Sequence, residues 1–359
     1  MKNILLILID DRGISTYPAV FQTAQELKKR NFNVTIVTRS LCDDINLKKY
    51  FDQYILIKKS HGKLSIILYI FKLIFKYKFD YVISYEPLDA IRSSIISLFN
   101  KKSTYIYYNL EIYEKNTNLK WISRIKYTVK KFMERIYCNN SKYFIIQDEL
   151  RREISKKHGI YNPNTYFIPN SYYYDCDYSE KIYTRHRYSL IYSGGLEEWS
   201  IKELVENIKA IENVDITLSG WSRDKYIDKI KNELTLYKNI KINMENLDVE
   251  EYAKLISKHD IGLVWYSDKC DNVFNIGRSS GKYFMYLRCN KPVIVPNLQG
   301  IADDVRKYKL GEVISNLDEL YCAVEKITSN YQKYVENIEN VYPKIYDYGN
   351  CSKKFFDML

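Results

Sequence analysis

Arg278, Ser279, Ser280, Gly281 and Lys282 stand in a row between a loop of small residues and a run with helical spacing. The start of a helix leaves backbone N–H groups without acceptors and carries the positive end of the helix dipole, and both favour an anion. Two hydroxyls, a glycine and a lysine add donors with little bulk. The chemistry this suits is neutralising a phosphate or diphosphate. Downstream, Pro292–Val295 is apolar and β-branched, which predicts a strand inside a parallel sheet. Strand ends beside helix N-termini are where open α/β sheets hold phosphorylated ligands.

A second set of residues is acidic. Asp10 and Asp11 follow the apolar run Ile4–Ile9, Glu86 follows Asp80–Ser84, and Glu111 follows Tyr105–Tyr108. Each lies just past a predicted strand, where a carboxylate can take a proton from a reacting hydroxyl. Gly13, after the first strand, and Gly194 with Gly195, after the predicted strand Ser189–Ser193, allow close approach of backbone to a ligand. Trp199 and Lys202 lie just beyond, on a predicted helix. The histidines, His61, His158, His186 and His259, have no convincing catalytic partners.

The elements that position these residues come in two similar halves. The opening, Ile4–Ile9, Tyr17–Lys29, Asn33–Thr38, reads as β-loop-α-β but lacks G-x-G-x-x-G, so no dinucleotide is inferred from it. Further strands are expected at Tyr54–Ile57, Asp80–Ser84, Tyr105–Tyr108, Tyr143–Gln147 and Thr165–Pro169. Residues 170–186 show no periodicity and read as a linker. The βα pattern then restarts, through Ser189–Ser193, Asp215–Ser219, Ile240–Asn243, Ile261–Tyr266 and Glu312–Ile314. Residues 333–359 read as mostly helical, with breaks near Pro343 and Gly349.

At 359 residues, two domains are the natural expectation. Seven cysteines, none as C-x-x-C, argue against a disulfide framework or a zinc site and fit a reducing compartment. The N-terminus is read as a buried strand, because its apolar run meets Asp10 and Asp11 and no cleavage site. Residues 1–160 carry 29 Lys/Arg against 15 Asp/Glu, a net of +14, and residues 161–359 carry 26 against 29, a net of −3. The basic character therefore belongs to the first half and calls for an anionic partner there. Two segments concentrate it. Residues 63–78 (KLSIILYIFKLIFKYK) are too short to span a bilayer. In residues 118–137, Trp121, Ile125, Val129, Phe132 and Ile136 repeat at helical spacing among lysines. Each segment is either a core-facing helix with a wet basic side or a helix lying in a membrane interface. No RNA- or DNA-binding module is recognisable, so nucleic acid is not expected as a partner.

In order and spacing, YSGGLEEW, NLDVEEYAKLISKHDIGLVWYS and SSGKYFMYLRCNKPVI resemble the C-terminal domain of GT-B glycosyltransferases, chiefly the bacterial enzymes that build capsule, lipopolysaccharide and other envelope glycans. DYVISYEPLDAI, YIYYNLEIY and SKYFIIQDELRREISKKHGI with YFIPNS resemble that family's first domain. The resemblance covers nearly the whole chain. It implies an α/β fold of two Rossmann-like domains facing across a cleft. An acceptor and membrane-facing domain would occupy residues 1–172, a nucleotide-sugar domain 187–338, and a helix returning to the first domain 339–359. It further implies a metal-independent hexosyltransferase with no cofactor, using a UDP- or GDP-sugar as co-substrate and a lipid-linked or polysaccharide acceptor. The location would be the cytoplasm, peripherally on the inner face of the cell membrane.

Glycosyl transfer must stabilise charge on the leaving diphosphate and take a proton from the acceptor. For the first task the donor-binding residues expected are Gly13, Gly194, Gly195, Trp199, Lys202, Arg278, Ser279, Ser280, Gly281, Lys282 and Met285. For the second they are Glu111, Glu86 and Asp11. Many retaining members carry two glutamates separated by seven residues near this helix. The matching positions here are Gly277 and Met285, and Leu110 stands where a cleft histidine is usual. A sugar-nucleotide epimerase and a catalytically impaired GT-B-like scaffold subunit are the alternatives.

Overall fold

The computed structural model describes residues 1–9, 17–39, 49–58, 62–112, 121–174, 187–222, 224–245, 247–266 and 271–359. The chain divides into two compact units. The first comprises Met1–Asn170 and Cys351–Leu359, the second Ser171–Asn350.

The first unit runs β1 (Asn3–Ile7), α1 (Pro18–Lys29), β2 (Asn33–Thr38), β3 (Gln53–Leu56), α2 (Lys63–Tyr77), β4 (Tyr81–Tyr85), α3 (Glu86–Phe99), β5 (Thr104–Tyr108), α4 (Trp121–Asn140), β6 (Tyr143–Ile146), α5 (Glu149–Lys157) and β7 (Thr165–Phe167). Among the described residues its sheet has the order β3-β2-β1-β4-β5-β6-β7, parallel throughout. The apolar runs explain this. Ile4–Ile7, Val82–Ile83 and Ile106–Tyr108 are fully buried, as strands covered by helices on both faces must be. Right-handed crossovers put α2, α3 and α4 on one face, since all three carry the chain the same way across the sheet. The strand order reverses between β1 and β4.

The second unit runs β8 (Ser189–Gly195), α6 (Glu198–Ile208), β9 (Asp215–Trp221), α7 (Tyr226–Leu234), β10 (Ile240–Asn243), α8 (Val249–Ser257), β11 (Ile261–Leu263), α9 (Asp271–Phe274), α10 (Gly281–Arg288), β12 (Val293–Pro296), α11 (Ile301–Tyr308), β13 (Gly311–Ile314), α12 (Leu320–Ser329), α13 (Tyr331–Val341) and α14 (Tyr348–Phe356). The last of these runs on into the residues of the first unit. The sheet order is β10-β9-β8-β11-β12-β13, again parallel. Its reversal point falls between β8 and β11. Local signals fix several helix starts. Asp248 caps α8 by accepting from Glu250 and Glu251 N–H, while Glu251 reaches back to the Asp248 N–H. Two apolar layers sandwich the sheet, one built on Leu204, Ile216 and Ile261, the other on Phe284, Val293 and Tyr342.

Two of the sequence readings become definite here. The C-terminal helical run is interrupted as expected: a π-helical turn at Tyr342–Tyr346 includes Pro343, and Asp347, two residues before Gly349, leaves helical geometry before α14 begins. And the α4 stripe does not face the core: Ile125, Val129 and Phe132 are 52%, 55% and 57% exposed. α2 is apolar on both sides: Ile66, Ile70, Leu73 and Ile74 are buried in the core, while Leu64 and Leu68 are 70% and 53% exposed.

Candidate active site

The residues of the Ser-Ser-Gly-Lys row meet the sheet at its reversal point. Ser280 is the N-cap of α10, its Oγ accepting from the Tyr283 N–H at 3.4 Å. Gly281 and Lys282 are then the first residues of the helix, whose N–H groups have no acceptor within it. α10 is held against β11 by Tyr286. Its hydroxyl pairs with Ser193 Oγ at 2.7 Å and donates to the Leu263 carbonyl at 3.2 Å. Its ring lies where any side chain at Gly262 would stand, a built Cβ falling 2.3 Å from it.

Lys282 reaches from this helix over the end of β8. Its Nζ donates to the Trp265 carbonyl at 3.3 Å and lies 4.6 Å and 4.4 Å from the ring centroids of Tyr192 and Tyr266. Two aromatic faces give the ammonium a weak electrostatic hold, on the order of 1–2 kcal/mol together. They do not replace lost water, and burial lowers the lysine pKa to about 7. An anion brought to this ammonium would restore its charge. Burial pushes the Tyr192 hydroxyl in the opposite direction, so it stays protonated beside the lysine.

Glycine makes the space. At Gly194 φ is +144°, and a Cβ built there would lie 3.1 Å from Lys282 Nζ. Its neighbour in the ladder is Gly220, where φ is +156° and a Cβ would fall 1.7 Å from the Gly194 carbonyl oxygen. No larger residue fits at Gly220 without moving the end of β8.

Other expected residues lie elsewhere in this unit. Ser279 Oγ donates to the Ile276 carbonyl at 2.8 Å, and Ser280 Oγ also pairs with Tyr266 Oη at 2.7 Å, so both hydroxyls have internal partners. Arg278 binds Asp304 at 3.1 Å and lies over the ring of Tyr346. Met285 is 2% exposed, packed in the core. Trp199 and Lys202 project from α6, Trp199 63% exposed and Lys202 3.4 Å from Glu198. Gly195 is partly buried at the tip of β8, where a Cβ would lie 3.9 Å from the Trp221 ring. The structure thus brings together Gly194, Ser280, Gly281 and Lys282. It adds Tyr192, Tyr266, the Trp265 carbonyl and Gly220, which the sequence reading missed. A signal was present: both strands at the reversal point run into Tyr-Ser, at Tyr192-Ser193 and Tyr266-Ser267.

In the first unit, Glu86 immediately follows β4 at that sheet's own reversal point. It is 3% exposed, with φ +64°. A bulky residue held in the left-handed region costs about 1–3 kcal/mol, and such strain gathers at functional sites. Asp89, one turn on in α3, accepts from the Ile9 N–H at 3.0 Å and fixes the end of β1 beside it. Glu111 lies past the end of the next strand, β5, and is partly buried. Asp10, Asp11 and Gly13 fall outside the described residues. His259 is structural: Nδ1 pairs with the Leu255 carbonyl at 2.9 Å and Nε2 with Thr217 Oγ1 at 2.8 Å. Among the described residues, no group of three or more His, Cys, Asp or Glu could hold a metal ion.

Residues 190–357 match the family "Glucosyltransferase 3-like, C-terminal domain". No curated protein matches the chain in sequence. Solved structures resemble it over its full length at low identity. HepE from Anabaena, solved with UDP and glucose, superposes with a TM-score of 0.76 at 12% identity, covering 100% of this chain and 99% of that one. Sucrose-phosphate synthase from Thermosynechococcus elongatus gives 0.73 at 12%, covering 100% and 98%. WaaG, a glycosyltransferase of lipopolysaccharide biosynthesis, gives 0.70 at 14%, covering 99% of each chain. The chain therefore has the GT-B fold, and its residues 190–357 are similar to the glucosyltransferase 3-like C-terminal domain.

Proposed function

We propose that this protein transfers a sugar from a nucleotide-diphosphate donor, a UDP- or GDP-sugar, to a lipid-linked or polysaccharide acceptor in the synthesis of a cell-envelope glycan. The observation that carries the reading is the convergence of Lys282, the α10 N-terminus and the glycine pair Gly194–Gly220 at the reversal point of the second sheet. Open α/β sheets bind their ligands there. The bond between the sugar carbon and the diphosphate oxygen breaks, and negative charge grows on the leaving diphosphate. The Lys282 ammonium and the N–H groups of Gly281 and Lys282 meet that charge, each charged hydrogen bond supplying roughly 1.5–3 kcal/mol. The acceptor oxygen forms the new bond, and its proton passes to a carboxylate of the first unit. Glu86 is the leading base, with Glu111 and Asp11 as the others. These side chains and N–H groups carry the neutralisation without a metal.

The first unit takes the acceptor. Its net positive charge supports peripheral association with an anionic membrane on the cytoplasmic side, where nucleotide-sugars are made. Among the described residues no helix is long and apolar enough to cross a membrane.

Calorimetry with UDP, GDP, CMP and their common sugars tests the reading. One UDP- or GDP-sugar is expected to bind, with affinity falling about ten- to a hundredfold in Lys282→Ala. Silence across the panel would refute it. Interconversion of a nucleotide-sugar without acceptor would make the protein an epimerase. Partner binding unaffected by Lys282→Ala and Glu111→Gln, with no turnover in the parent, would make it a scaffold.

A further inference from the structure

α2, α3 and α4 lie, with α5, on one face of the first unit's sheet, and the outward surface of these three has an unusual make-up. Ile125, Val129 and Phe132 are one turn apart along α4 and more than half exposed. Leu64, Leu68 and Phe75 form a second exposed row on α2, at 70%, 53% and 48%. Between them α3 ends in Leu98 and Phe99, 57% and 67% exposed, and Phe99 meets Phe71 of α2 at 6.0 Å between ring centroids. The apolar rows thus lie on neighbouring helices of one layer. Isolated exposed apolar residues need no explanation, but eight on three packed helices do.

The exposed charge on these helices and at their ends is mostly of one sign. Lys72, Lys76, Lys78, Lys101, Lys102, Lys126 and Lys130 are all exposed. α2 contains no Asp or Glu. The acids of α3 and α4, Glu86, Asp89 and Glu134, are 3%, 1% and 2% exposed, and Glu134 is bonded to Tyr107 and Lys131 inside the unit. The exposed acids nearby are held by other groups: Asp80 accepts from the Asn3 N–H at 2.7 Å, and Glu153 of α5 pairs with Lys156 at 2.8 Å. Apolar rows flanked by cations, with no exposed acid on the described residues of the three helices themselves, are the pattern of helices lying in a lipid headgroup region. A second copy of the chain would set these cations against their own kind, so self-association is disfavoured.

We infer that the outward face of α2, α3 and α4 is a membrane-docking surface that inserts Ile125, Val129, Phe132, Leu64 and Leu68 among the headgroups of an anionic bilayer. This deepens the proposed function and rests on it only for the identity of the acceptor side. Flotation of the whole protein with phosphatidylcholine vesicles, with and without phosphatidylglycerol, tests it. The parent should bind the anionic vesicles and release in high salt. Ile125→Ser/Val129→Ser/Phe132→Ser should weaken binding about a hundredfold, and Leu64→Ser/Leu68→Ser about tenfold. Lys126→Gln/Lys130→Gln should lose about fivefold per lysine, on anionic vesicles only. All changed side chains are exposed, so the melting temperature and nucleotide-sugar binding should hold. Parent and variants binding alike, or the parent binding no vesicle, overturns the docking face. So does a concentration-dependent dimer that the apolar variants abolish. If the parent ignores vesicles yet binds a nucleotide-sugar, the surface fails and the glycosyltransferase reading stands. If the apolar variants lose vesicles while no nucleotide-sugar binds, the surface stands and that reading fails.

Discussion

The two sheets of this protein reverse their strand order in the same way and end their reversal points in opposite chemistry. In the first, β1 and β4 run out into acids: Asp10 and Asp11 in sequence, and Glu86, buried on a left-handed backbone. In the second, β8 and β11 run out into glycine and a tyrosine-walled lysine. Topology makes a crevice at both places, because the connections diverge there. It does not say what fills the crevice. A carboxylate offers to take a proton, while an ammonium with bare N–H groups offers to hold negative charge. On the proposed function, the two needs of glycosyl transfer fall to two chemistries set on the same topology.

The comparison can be broken by changing each side separately. Lys282→Ala is expected to have the largest effect, lowering kcat/KM by about 10²–10³-fold, with nucleotide affinity falling in the same variant. Glu86→Gln should lower kcat by about a hundredfold while donor affinity, read by calorimetry, stays within a factor of about two. If Glu86→Gln spoils donor binding as much as Lys282→Ala does, the two reversal points do not divide the labour. Gly220→Ala should destabilise the protein by about 3 kcal/mol or more in denaturant unfolding, since the new Cβ meets the Gly194 carbonyl and the backbone is left-handed.

The pH dependence sharpens the contrast. Lys282 titrates near 7 in the empty protein, below its ordinary value, because burial disfavours the charged form. Above pH 7 it is losing its proton, so affinity for a nucleoside diphosphate should fall by up to about tenfold per pH unit. The unfolded chain keeps that proton until about pH 10.5, so this group makes the empty protein more stable as pH rises from about 7 towards 10. Binding and stability should therefore move in opposite directions over that range, and Lys282→Met should flatten both. The smallest effect belongs to Ser279→Ala, expected within about threefold of the parent in kcat/KM, because its hydroxyl already donates to the Ile276 carbonyl. A hundredfold loss there would return the hydroxyl to the donor.

How much of this was legible depends on the range of the interaction. Apolar runs such as Ile4–Ile7 and Val293–Val295 declared buried parallel strands, and the row from Ser280 to Lys282 declared a helix start, because period and capping are local properties. The spacing of Ile125, Val129 and Phe132 declared a helix and left its direction open. The same stripe serves a core or a membrane, and only neighbouring helices settle which. Gly262, Gly220 and Tyr286 carried no local message at all. Each matters through a residue dozens of positions away.

The amino-acid order alone determined two βα halves, a GT-B-like succession of elements, a basic first half and a helix start at Ser280–Lys282. Tertiary structure decided that Lys282 lies between Tyr192 and Tyr266, that Arg278 and Met285 turn to other partners, and that the α4 stripe faces outward. The physical reason is that periodicity is written along the chain, whereas desolvation, ring contact and exposure arise only where distant segments pack together.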